Sequence, residues 1–326
     1  MEFFHNVNID WLGKKWYFLA FSLIFSVSGI ISMGWHWVHF GSPVPLGVDF
    51  KGGTQVTVEF PQTPNVGRIR QAVDTSGLKD AVIALFGPAS KHQVIISLPE
   101  QTNEKALDVG RTDIENALRE HYGSSFIIRS VQVVGPTVGH QLVKQAALAV
   151  LYSLLGMLIY LWFRFQLIYG VAAVVACFHD TLITVGAFSL ASTFGAKNLQ
   201  LTLTVVAAIL TLVGYSMNDT IVVFDRIREN LRLSRREPLA DLVNRSINQT
   251  LSRTVLTSGL TFLTVLSLFI FGGQVLKGFS FALVVGILIG TYSSIAVASP
   301  MLVAWQESRA KRGKSTTLPA ARRARG

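Results

Sequence analysis

The sequence predicts an α-helical polytopic membrane protein with six transmembrane helices and one small α+β domain inserted after the first of them. Three observations carry this. Half of the 326 residues are hydrophobic, only 15% are charged and the mean hydropathy is +0.44, a balance far from that of a water-soluble globule. Six apolar windows are long enough to cross about 30 Å of hydrocarbon, near 16–38, 140–163, 167–192, 199–224, 254–273 and 278–304. The hundred or so residues between the first two windows lose that character and alternate instead.

Within that inserted segment, "GTQVTVEF" (53–60) has the period-two pattern of a half-buried strand, and 65–77 has helical spacing at Val66, Ile69 and Val73. "DAVIALFG" (80–87) and "HQVIISL" (92–98) are two further strands separated by "PASK". An amphipathic helix follows over about 102–121, and "SFIIRSVQVV" (125–134) is the last strand. The order strand, helix, strand, strand, helix, strand is that of a ferredoxin-like fold. The paired glycines of "KGGT" (51–54) are expected to turn the chain into the first strand, since no helix N-terminus follows them to cradle a phosphate.

The formal net charge of +10 is unevenly spread. Residues 38–138 hold nine Lys/Arg against ten Asp/Glu, and the remainder holds twenty against nine. The basic excess thus flanks the spans, where it sets orientation; no nucleic-acid partner is implied. Lys14 and Lys15, Arg164, seven arginines between 226 and 253 and seven Lys/Arg after 308 alternate with short connections carrying only Lys197 and Lys277. This pattern expects a cytoplasmic N-terminus (1–15), a first span (16–38), an external, periplasmic domain (39–139), five more spans within 140–304 with a cytoplasmic loop at 225–253, and a basic cytoplasmic tail (305–326). Lys14 and Lys15 before an apolar run without a small-residue cleavage site imply a retained anchor. Aromatic residues (Trp16, Tyr17, Trp35, Trp37, Tyr160, Trp162, Phe163) mark the interfaces, and the lone Cys177 excludes an intrachain disulfide. Enzyme signatures fail: HExxH, GxSxG and GxxxxGK do not occur, and the histidines have no metal-ligand spacing, so neither cofactor nor metal is expected.

Ionisable residues inside apolar spans are the candidates for function. Asp219 lies about five residues before Phe224, roughly 8 Å inside the cytoplasmic boundary at 1.5 Å per residue, too deep for a short side chain to reach water. Helical spacing groups it with Thr211, Tyr215, Asn218 and Val222. Two roles are open to it: a hydrogen bond to a neighbouring helix, or reversible proton binding, since burial and a movable cation act oppositely on a carboxylate. Arg253, at the mouth of the fifth span, is the expected cation, or else a topological anchor. The Thr254, Thr257, Ser258, Thr261 and Thr264 hydroxyls either line a wet path or bond to helix backbone. Asp180 and the adjacent His179 in the third span are further candidates for a proton path, or for a structural interhelical bond. Gly286, Gly290, Ser294 and Ala298 recur every four residues and predict close helix packing.

Five motifs in order, "GVDFKGGT" (47–54), "VGPTVG" (134–139), "HDTLITVG" (179–186), "GYSMNDTIVVFDRIREN" (214–230) and "SINQTLSRTVLTS" (246–258), closely resemble the SecF branch of the SecD/SecF protein-export family, within the RND superfamily. The resemblance covers about 10–305. It implies an accessory subunit of the Sec machinery in the bacterial inner membrane. The implied partners are SecD in a pseudo-symmetric twelve-helix assembly, the SecYEG channel, often YajC, membrane lipids and the emerging secreted polypeptide. Such a subunit uses the proton-motive force to draw secreted chains outward after the SecA motor. It also implies proton conduction through Asp219 and Arg253; the residues themselves add Asn218, Tyr215, Asp180 and His179 as proton-transfer candidates, and the short, stiff "VGPTVGHQ" link is expected to move the external domain with the helices. An RND-type exporter of lipids or small molecules and a scaffold without transport activity are the rival functions.

Overall fold

A computed structural model describes residues 8–78, 81–86, 89–99, 104–196, 199–234 and 237–315. Lys197, Arg235, Arg236 and the tail beyond 315, all used above for orientation, lie outside these residues.

Among the described residues six helical stretches are long and apolar enough to span a membrane. They are α1 (Lys15–Phe40), and, after the inserted domain, α5 (Pro136–Arg164), α6 (Leu167–Thr193), α7 (Leu203–Leu233), α8 (Leu239–Phe271) and a sixth path that begins as α9 (Gly273–Ser293) and ends as α10 (Ser299–Ser315). The inserted domain holds a short helix α2 (Val48–Lys51), strand β1 (Gly53–Glu59), α3 (Val66–Thr75), β2 (Val82–Phe86), β3 (Gln93–Pro99), α4 (Glu104–Tyr122) and β4 (Ile127–Val134). Its sheet has the order β2-β3-β1-β4 with every neighbouring pair antiparallel, the ferredoxin-like arrangement that the element order predicts. Alternation places Val56, Val58, Val94, Ile96 and Ile83 on one face, where Ile69 and Val73 of α3 and Ile114 and Leu118 of α4 close a core. Asn65 caps α3, accepting from the N–H groups of Gly67 and Arg68.

In the bundle, α6, α7 and α9 are the inner helices, whereas α1, α5 and α8 leave most of their surface open. Small residues set the spacing. A Cβ on Gly186 would lie 2.8 Å from Gly29 Cα, so α1 and α6 cross backbone to backbone. A Cβ on Gly286 would lie 2.4 Å from Leu212, and one on Gly290 would meet Ser216. The expected glycine stripe therefore seats α9 on α7. Between α9 and α10 the helix widens into a π turn at Ser294–Ala298. Pro300 explains it: proline lacks the N–H that Ala296 would receive, and its ring crowds that carbonyl.

Residues 225–253, expected as a loop, are largely helical. Past the apolar span α7 runs on to Leu233 and α8 begins at Leu239, leaving 234–238 as the connection. The hydrophobic spacing continues, with Ile227 buried against Leu242, Val243 and Ile247. Asn230 donates to Ser246 Oγ (2.8 Å) and Gln249 Oε1 (2.9 Å). The chain ahead of α1 is held on this hairpin: Asn248 Oδ1 accepts from Trp11 Nε1 (3.0 Å) and Asn244 Oδ1 from the Leu12 N–H (3.0 Å).

Candidate functional site

Asp219 faces inward from α7 and is 3% exposed. Its Oδ2 accepts one hydrogen bond, from Ser258 Oγ on α8 at 2.7 Å. One turn earlier on the same face of α8, Thr254 is buried and its hydroxyl has no hydrogen-bond partner among the described residues. Ser258 is also on the wall of a cavity of about 360 Å³ whose lining includes Trp11, Phe18, Phe262 and Tyr292. The carboxylate thus sits where α7, α8 and α9 meet, with the Thr291 hydroxyl of α9 also beside it, and it is its partner Ser258 that lines the cavity.

Arg253 is not its ion-pair partner. Among the described residues no direct ion pair joins them; Arg253 is exposed, yet its charge stays within electrostatic reach of the Asp219 carboxylate. The expectation took the fifth span to begin near 254, which would set Arg253 at its mouth. The helix itself starts earlier, at Leu239, and runs through that mouth; the five residues from Arg253 to Ser258 turn it by about 140°, so the guanidinium starts from a different face than the one that bonds Asp219. The polar stripe on α7 divides for the same reason. Thr211 and Asn218 are exposed, Tyr215 is half-buried with no partner for its hydroxyl among the described residues, and Asp219, one residue and about 100° beyond Asn218, is inside. Asn218 and Tyr215 therefore share the helix with Asp219 but not its surroundings. The threonines of α8 bond to their own backbone: Thr257, Thr261 and Thr264 donate to the carbonyls of Arg253, Thr257 and Leu260. That settles the two options for these three in favour of backbone bonding.

Asp180 is the second buried carboxylate, with no exposed surface. Its Oδ2 accepts from Ser216 Oγ of α7 (2.6 Å) and Ser293 Oγ of α9 (2.7 Å), and its Oδ1 pairs with His179 Nδ1 (3.0 Å). The other nitrogen of His179 meets Ser22 Oγ on α1 at 2.5 Å. A single knot so joins α1, α6, α7 and α9, just before the π turn that follows Ser293. Ser216 and Ser293, unremarked in the sequence, are its outer members; both belong to helix faces packed by small residues, which was the available signal.

The positions of the GG-containing segment and the first turn of α5 also come together. Gly52 has φ +77°, and a Cβ there would lie 3.0 Å from Pro136 Cα; a Cβ on Gly139 would lie 2.6 Å from the Phe50 carbonyl oxygen. "GVDFKGGT" and "VGPTVG" are thus two sides of one contact at the base of the sheet domain. Among the described residues no group of three His, Cys, Asp or Glu side chains is placed to hold a metal.

With this geometry in hand, comparison with known proteins places the chain. Residues 113–308 match the family described as "Protein export membrane protein SecD/SecF, C-terminal", and residues 40–63 match the "SecD/SecF GG Motif". The chain is similar to the protein translocase subunit SecF of Koribacter versatilis, with 54% identity covering 98% of this chain and 96% of that protein. It is 43% identical to that of Desulfurispirillum indicum, covering 91% and 92%. Among solved structures it resembles SecDF, a translocon-associated membrane protein from Thermus thermophilus, at 37% identity with a TM-score of 0.73. It covers 39% of that longer chain and is itself covered to 93%. The relatives are translocase subunits, which decides against the exporter of lipids or small molecules. The chain belongs to the SecD/SecF family of protein-export membrane proteins, on the SecF side, as a multi-pass subunit of the protein translocase.

Proposed function

We propose that this subunit, together with SecD, couples the proton-motive force to late steps of protein export, and that Asp219 is the group that takes up and releases the proton. The observation that carries this is the setting of Asp219: a buried carboxylate where α7, α8 and α9 meet, accepting a bond from Ser258, whose other side lines a cavity. Such a group changes its surroundings with a small shift of one helix, and its charge state follows its surroundings. Arg253 acts from the outer face. Arg253, Asn218, Thr211, Thr257 and Thr264 give α7 and α8 an outward polar surface inside the apolar zone, and polar groups at that depth are stable when another protein surface covers them. A second six-helix subunit of the SecD kind supplies that cover and places its own groups opposite Arg253. Proton exchange at Asp219 then changes the attraction across this joint interface and moves α7 against α8.

Asp180 and His179 hold the inner helices in register while α8 shifts. The alternation of basic residues supports cytoplasmic termini and a periplasmic sheet domain, where the emerging polypeptide passes. SecYEG, YajC and anionic lipids are the further partners of such an assembly. The test is Asp219→Asn in vesicles holding the chain with SecD and the channel. Assembly is expected to persist while proton-gradient stimulation of export disappears; full stimulation in that variant would falsify the proposal.

A further inference from the structure

The N-terminus of α7 is capped from far away. Thr202 stands at the N-cap position, but its hydroxyl is engaged with Thr204 Oγ1 at 2.8 Å and makes no capping bond. The first orphan N–H of the helix, that of Leu203, instead donates to Asp49 Oδ2 at 3.0 Å, across 154 residues of sequence. A carboxylate here also faces the positive end of the helix dipole. The other oxygen of Asp49 accepts from Gln132 Nε2 on β4 at 3.3 Å.

The backbone repeats the tie on either side. The Gly47 N–H donates to the Leu201 carbonyl (2.8 Å), the Leu201 N–H donates to the Pro45 carbonyl (2.7 Å), and Leu46 and Leu201 form a parallel bridge. Gly47 has no room for a side chain, since a Cβ would lie 2.8 Å from Thr202. Phe50, in the same short helix as Asp49, is buried, and its carbonyl abuts Gly139 of α5. Segment 45–52 is therefore fastened at once to the start of α7, to β4 and to the first turn of α5.

We propose that Asp49 is a positioning residue that couples the helix carrying Asp219 to the sheet domain. This rests on the function proposed above. Leu203 and Asp219 are sixteen residues apart on one unbroken helix, about 24 Å, so a tilt or shift of α7 set off at Asp219 arrives at its N-terminus as a rigid displacement. The clasp delivers it to the base of the sheet through Asp49 and Gln132. The link through "VGPTVGHQ" is then a second attachment, on α5, against which the domain turns.

The experiment uses the full chain in vesicles with SecD and the channel, in a Cys177→Ala background. Asp49→Ala is expected to lower proton-gradient-stimulated export roughly fivefold, the equilibrium factor that a lost helix cap represents. Asp49→Asn keeps an oxygen for the Leu203 N–H and is expected to retain most of the stimulation, which a loss of general folding would not explain. In the Asp49→Ala chain, cysteines replacing Leu46 and Leu201 are expected to restore stimulation when oxidised and not when reduced. Full stimulation in Asp49→Ala, equal losses in the alanine and asparagine variants, or an oxidised pair that restores nothing would each overturn the clasp. Asp219→Asn run alongside separates the two ideas: if it keeps its stimulation, it is the proposed function that fails.

Discussion

Asp180 and Asp219 are both carboxylates buried in the interior of the bundle, yet they are held very differently. Asp180 takes two serine hydroxyls from different helices and a histidine whose far nitrogen reaches a third. Asp219 takes one serine hydroxyl, with that of Thr291 beside it, and the serine lines a cavity. In the hydrocarbon zone water is scarce, so a bond missing from a carboxylate is not readily replaced by solvent. A fully bonded carboxylate ties its helices into one arrangement. A sparsely bonded one leaves two arrangements close in energy, the condition a proton-driven switch needs. The difference supports the proposal that Asp180 holds and Asp219 works.

The widest separation is expected from parallel asparagine and alanine variants read for function and stability together. Asp219→Asn removes proton-gradient stimulation of export but leaves the unfolding midpoint of the purified chain in detergent close to that of the parent, because one hydrogen bond inside a membrane protein contributes about 0.6 kcal/mol. Asp180→Ala has the reverse signature. Losing three such bonds lowers unfolding stability by about 2 kcal/mol, while the protein that remains folded and assembled keeps a stimulated rate well above that of Asp219→Asn. Equal losses of stability in Asp180→Ala and Asp219→Ala would break the distinction.

A weaker probe approaches the Asp180 knot from outside. Gly186 is six residues beyond Asp180 and touches Gly29 of α1, the helix that supplies Ser22 to His179. Gly186→Ala forces the two backbones apart at a packed crossing, where overpacking costs about 1–3 kcal/mol. A stability loss in that range, non-additive with His179→Ala, is expected in a double-mutant cycle. Strict additivity would mean that the crossing and the knot act separately.

How much of this was legible in the sequence follows from the range of the interactions. The six long apolar helices and the sheet strands rest on local periodicity and length, and the structure reproduces them. The azimuth of Arg253 rests on where α8 begins and which of its faces meets α7. A 33-residue helix that passes through the boundary without a break gives no local mark of either. Asn218 and Asp219 show the same limit: a projection puts them within about 100° of each other, and only the position of the neighbouring helices decides which is inside. Asp49 was visible as part of "GVDFKGGT" but not as a cap, because its partner is 154 residues away. The clue was at the other end, in a helix start whose threonine is occupied by the threonine two residues on.

The smallest expected effect supplies a reference in water for the two membrane carboxylates. Glu59 on β1 pairs with Arg129 on β4 through two bonds, Nε to Oε2 at 2.9 Å and NH2 to Oε1 at 2.8 Å, and Gln93 Nε2 donates to Oε2 at 2.7 Å. The Arg129 guanidinium first, and the Gln93 amide second, hold its carboxyl below the usual 4.5, at about 2. A carboxylate held below its unfolded value stabilises the fold in its charged form, so this contribution is whole above pH 4.5 and is lost as the pH falls towards 2. Glu59→Gln is therefore expected to flatten the fall in domain stability across that acid range, seen in the near-ultraviolet circular dichroism of the purified chain, and to leave neutral-pH stability little changed because exposed ion pairs are weak. Three donors converge on Glu59 much as they do on Asp180, but solvent replaces any that are lost. If Glu59→Gln and Asp180→Ala lowered neutral-pH stability equally, the number of donors alone would account for both; a much smaller loss at Glu59 shows that it is the scarcity of water that makes a donor count decisive.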